Sequence, residues 1–85
     1  MSIKKKLLLK IMGGAQDGNV TYAEALKLLE LLGYRFREGK GSHTVACYPG
    51  TPGLLTLQPK KDGKAKSYQL EQIRRDIREK GLHLQ

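Results

Sequence analysis

A chain of 85 residues holds one domain and leaves no room for an enclosed cofactor site beside a separate substrate domain. Its 16 Lys and Arg outnumber 8 Asp and Glu, and the formal net charge of +8 favours polyanionic partners: RNA, DNA, an acidic protein or an anionic membrane surface. One cysteine excludes an internal disulfide and fits a reducing compartment, and no apolar run approaches the roughly 20 residues that span a bilayer.

The first candidate element is KKKLLLKIMGG. A basic start followed by Leu7, Leu8 and Leu9 has the outline of a signal peptide, but Lys10 breaks the run and no small-residue cleavage site follows. The stretch reads as a short amphipathic helix with a basic outer face. Residues 13–20, GGAQDGNV, form a glycine-rich linker with turn chemistry. Residues 1–20 are thus an N-terminal helical extension and linker, and residues 21–85 are the main domain.

Thr21 and Glu24 stand at capping-box spacing before Ala25, Leu26, Leu28, Leu29, Leu31 and Leu32, which predicts a strong helix stopped by Gly33. The alternation Tyr34-Arg35-Phe36-Arg37 suits a half-buried strand. A second strand is expected from about Ser42 to Tyr48, a loop over residues 49–53, and a third strand over Leu54–Gln58 that Pro59 ends. A basic loop, PKKDGKAKS, leads to a last helix that Ser67 would cap. Leu70, Ile73 and Ile77 fall on its inner face, and Gly81 stops it. Three strands on short connections predict an antiparallel meander, and a sheet that small needs helices over one face.

The chemistry-bearing residues are few. His43, Cys47 and the distant His83 lack the spacing of a zinc site, and a lone Cys47 inside a strand reads as a small buried hydrophobe rather than a nucleophile. Gly39 and Gly41 alone do not make a nucleotide loop. His83 lies two residues from a terminus prone to fraying. His43 is therefore the candidate acid–base group. RNA suits a lone imidazole, because every phosphodiester carries its own nucleophile, the 2′-hydroxyl. Strand parity, however, puts His43 on the side of Val45 and Cys47, which look like core positions, so a buried histidine held by a hydrogen bond stands as an alternative. The lysines of the basic loop precede a helix N-terminus, and both features attract phosphate. At this level an RNA-cleaving enzyme, a non-catalytic RNA-binding module and a domain that docks an acidic protein all remain open.

Taken together, LLELLGYRFREGKGSH and LQPKKDGKAKSYQLEQIRRDI resemble the HicA family of toxin–antitoxin toxins over roughly residues 20–82. The resemblance implies an α+β fold similar to a double-stranded-RNA-binding domain: a three-stranded antiparallel sheet with helices on one face, here with an N-terminal helical extension. It implies a cytoplasmic mRNA interferase, neutralised by a HicB antitoxin. The family's catalytic histidine falls on His43, with Gly41 and Ser42 shaping the loop that presents it. Lys40, Lys60, Lys61, Lys64 and Lys66, with Arg37, are expected to hold the RNA backbone. No metal or other cofactor is expected. One departure stands out: many members carry a second histidine or a bulky apolar group after the catalytic one, and here Thr44 follows.

Overall fold

The computed structural model describes residues 3–41 and 43–83. In chain order it contains helix α1 (Ile3–Gly13), a 3-10 turn (Asp17–Asn19), helix α2 (Tyr22–Leu32), strands β1 (Arg35–Glu38), β2 (Thr44–Cys47) and β3 (Leu55–Leu57), and helix α3 (Ser67–Lys80). The strands form an antiparallel sheet in the order β1-β2-β3, the meander expected of a small α+β fold.

Local chemistry sets the helix ends. The Thr21 hydroxyl accepts from the Glu24 backbone N–H at 3.0 Å, and the Glu24 carboxylate accepts from the Thr21 N–H at 2.9 Å, closing the capping box. Lys10 of α1 reaches the same carboxylate at 3.2 Å. At the other end Gly33, at φ 103°, terminates α2 in the left-handed conformation that a β-carbon would oppose. Helix α3 starts differently from expectation. Its N-cap is Lys66, with no side-chain cap bond, and Ser67 is the first helical residue.

The Glu24 carboxyl titrates below its ordinary value of 4.5, chiefly because it accepts the Thr21 backbone hydrogen bond, with Lys10 adding to the effect. A carboxylate whose folded-state pKa is depressed stabilises the fold above the unfolded pKa, and that stability is lost as pH falls through the folded value. We expect Thr21→Ala to lower stability by about 1 kcal/mol at neutral pH. Urea unfolding at pH 7 and below 4.5 checks this, with part of the native Glu24 contribution gone at the lower pH.

The core lies between the three helices and one face of the sheet. Ile11, Val20, Leu28, Leu29, Leu57, Leu70 and Ile73 are its largest fully enclosed side chains. Gln69, also buried, ties α3 to the outer edge of β3: its Oε1 accepts from the Gln58 N–H and its Nε2 donates to the Thr56 carbonyl. That satisfies backbone groups which a sheet edge would leave open. At the opposite end of α3 the Tyr34 hydroxyl donates to Asp76, which also pairs with Lys80 at 2.6 Å. Burial, reinforced by the Asp76 carboxylate, pushes the Tyr34 phenol well above its ordinary value.

Two sheet expectations change. Strand β1 is exposed along its whole length rather than half-buried, because no helix packs closely on it as α3 does on β3, which leaves Phe36 beyond the cover of the helices. The parity of β2 is also reversed. Ala46 is completely buried and pairs with Leu55 and Phe36, so the core face carries Phe36, Ala46, Leu55 and Leu57. Val45 and Cys47, only partly buried, point to the opposite face, together with Arg35, Arg37 and Thr56.

Candidate active site

That reversal moves His43 out of the core. The β1–β2 hairpin continues past the named strands. The Gly39 N–H donates to the His43 carbonyl at 2.9 Å, and the His43 N–H donates to the Lys40 carbonyl at 3.2 Å, closing a tight turn. Gly41 occupies that turn at φ 62°, the left-handed region where glycine is unstrained. The expected loop residue Ser42 lies outside the described residues. A β-carbon built on Gly39 would sit 3.3 Å from His43 Cβ and 3.5 Å from Val45 Cγ2. His43 and Val45 therefore share the uncovered face, and the bare Gly39 leaves room beside the imidazole.

The ring is half-buried and oriented by one bond: its Nδ1 lies 2.8 Å from the Lys40 carbonyl oxygen. A carbonyl only accepts, so Nδ1 carries the proton and donates. In the neutral imidazole the lone pair then resides on Nε2, which bonds to no described residue. The turn thus fixes both the ring's orientation and the nitrogen left to take a proton. The sequence held a signal for this, since a carbonyl three residues back across a glycine turn is a natural partner for a histidine.

The expected phosphate-binding lysines divide into two groups. Lys60, Lys64 and Lys66 come together around a polar pocket of about 380 Å³ that also involves Asp17, Gly18, Ala65, Ser67 and Tyr68 at the start of α3. Lys61 is exposed in the neighbouring turn and does not line it. The basic loop is pinned rather than loose. Lys60 N–H donates to the Lys64 carbonyl and Gly63 N–H to the Lys60 carbonyl, both at 2.9 Å. Tyr22 and Ala65 then join this loop to the segment before α2. Lys66 donates to Gln58 Oε1 at 3.3 Å and lies 5.9 Å from the Tyr68 ring centroid.

Register relates the two groups. Thr44 pairs with Leu57, so the start of β2, where His43 lies, sits at the sheet end where β3 gives way to Gln58, Pro59 and the basic loop. Lys40, exposed, is in the histidine's own turn. No described hydrogen bond or ion pair joins the imidazole to Lys60, Lys61, Lys64 or Lys66. Asp17 and Gly18 reach the lysine pocket from the N-terminal linker, a placement that nothing in the sequence announces. Cys47 is half-buried on the open face, and His83 is exposed beyond α3. Among the described residues, no cluster of three or more His, Cys, Asp or Glu side chains could hold a metal ion, and no helix is long and apolar enough to cross a membrane.

These features define a small basic α+β domain that presents one imidazole on the uncovered face of its sheet and a lysine pocket near the same sheet end. The family model for the HicA toxin of bacterial toxin–antitoxin systems matches residues 22–81, and the chain belongs to that family. Neither the curated proteins nor the solved structures yield a match. As a member of a toxin family of toxin–antitoxin systems, the chain has an antitoxin as its implied partner.

Proposed function

We propose that this toxin is a metal-independent endoribonuclease of the cytoplasm that cleaves mRNA with His43 and is held inactive by a HicB-type antitoxin. The observation that supports this most is the tautomer imposed by Lys40. With Nδ1–H donating to the carbonyl at 2.8 Å, Nε2 is the available base. In the proposed reaction Nε2 removes the 2′-hydroxyl proton, the 2′-oxygen–phosphorus bond forms, and the bond from phosphorus to the 5′-oxygen breaks. The departing 5′-oxygen takes a proton from solvent, and the imidazolium returns its own proton to water. The products are a 2′,3′-cyclic phosphate and a 5′-hydroxyl. Gly41 and Ser42 shape the turn that presents the ring, and Lys40, Lys60, Lys61, Lys64 and Lys66 hold the RNA backbone.

The test is incubation of the purified chain with an RNA oligonucleotide in EDTA, with the product ends identified by mass spectrometry. Cleavage to cyclic phosphate supports the nuclease. Intact RNA with salt-sensitive binding identifies a non-catalytic RNA-binding module instead. Binding should weaken with salt, with a log–log slope of about −0.7 for each phosphate neutralised on a single strand. Replacing Lys60, Lys64 and Lys66 together by Gln is expected to flatten that slope by about 2. An unchanged slope would remove the lysine pocket from the RNA path.

A further inference from the structure

The lysines of the proposed interface lie in the histidine's turn and around the start of α3, and they leave open which group meets the charge that develops on the reacting phosphate. The register of β1 and β2 supplies a candidate. Arg37 pairs with Val45, and Gly39 meets His43 through the hairpin hydrogen bond. Arg37 and His43 are therefore diagonal neighbours across the two strands. Such positions have Cα atoms roughly 7–8 Å apart, within reach of a long side chain. Both lie on the uncovered face, since Val45 shares a face with His43 and pairs with Arg37. Gly39, two residues beyond Arg37 on the same face, has no side chain to stand between them.

Arg37 is also free to act. It is exposed, and no described hydrogen bond or ion pair engages it. Its neighbour Glu38 points to the other face of β1, so this carboxylate does not neutralise it. A guanidinium is planar and permanently charged, and it can bind two phosphate oxygens at once. A group so placed beside the base nitrogen serves the equatorial oxygens of a pentacoordinate phosphorus, whose negative charge grows during attack.

We infer that Arg37 is a second catalytic residue, which binds the non-bridging oxygens of the scissile phosphate while His43 moves the proton. Arg35 lies two residues back on the same face and would meet an adjoining phosphate, contributing to affinity only. This rests on the nuclease reading above, and the two can fail separately.

The experiment is single-turnover cleavage of an RNA oligonucleotide by the full chain in EDTA, with the saturated rate and the apparent Kd measured separately. The variants are Arg37→Gln, Arg37→Lys, Arg35→Gln and His43→Gln, each checked for native circular dichroism. Arg37→Gln is expected to lower the saturated rate by about 10² while Kd changes only a few-fold. Arg37→Lys should recover part of that loss, and Arg35→Gln should act chiefly on Kd, lowering the saturated rate far less than Arg37→Gln. A saturated rate for Arg37→Gln close to that of the native chain overturns the inference. So does an equal rate loss in Arg35→Gln, which would mark a general effect of charge. If the native chain leaves RNA intact, the nuclease reading itself falls and this inference falls with it; if His43→Gln cuts as fast as the native chain, His43 leaves the mechanism and the pairing of Arg37 with it falls.

Discussion

Replacing His43 by glutamine is expected to lower RNA cleavage by about 10²–10⁴-fold, the range over which a positioned acid–base group contributes. The same change should relieve growth arrest on overexpression. Glutamine keeps a polar side chain at a half-buried site but offers no basic nitrogen in the place of Nε2. The turn itself should survive. Its two closing bonds, Gly39 N–H to the His43 carbonyl and His43 N–H to the Lys40 carbonyl, are made by backbone and do not need the ring. Only the bond from Nδ1 to the Lys40 carbonyl is lost, an effect of about 1 kcal/mol on stability. The two expectations separate chemistry from folding. A variant with native circular dichroism and RNA binding, yet undiminished cleavage and toxicity, would remove His43 from the mechanism.

Ile11→Ala should lower stability by about 3 kcal/mol. Ile11 is fully enclosed, so truncation removes buried methyl groups and leaves a cavity that the surrounding side chains fill only in part. In a domain of this size the loss should lower Tm by roughly 10–20 °C. Leu9 on the same helix is 52% exposed, and Leu9→Ala should stay within about 0.5 kcal/mol. Thermal unfolding of the two variants compares them directly. The point is architectural. Helix α1 lies outside the matched residues 22–81, yet it supplies a side chain to the centre of the core. Equal small shifts for the two variants would mean that α1 is an appendage.

Much of the backbone plan could be read from local chemistry. The capping box at Thr21 and Glu24, the stop at Gly33 and the stop at Gly81 are each written in a few adjacent residues, and each formed as expected. The face of β2 could not be read in that way. Val45 and Ala46 are both apolar, and a one-residue change in register exchanges them between core and solvent. The deciding information lay in another strand. Leu55 and Leu57 flank Thr56, and the pairing of Ala46 with Leu55 draws the alanine inward. Since His43 follows the parity of Val45, the candidate site depended on that non-local fact. Ser67 misled for a related reason. Capping rules favour serine, but the chain enters α3 with extended backbone at Lys66, so Ser67 is already helical. The link between Asp17 and Arg74 had no local signature, being a contact between residues 57 positions apart.

That last link bears on how the domain closes. The Arg74 guanidinium holds both carboxylate oxygens of Asp17, at 3.0 and 3.1 Å, and the carbonyl of Ile11 at 3.1 Å. Leu70, Ile73 and Ile77 of the same helix complete the core beneath. In chain order the hairpin bearing His43 precedes α3. Until α3 packs against β3 and α1, the shared core is incomplete, and the sheet has too little apolar cover to hold its register. A chain whose α3 has not packed is therefore expected to lack the settled sheet register that fixes the turn around His43.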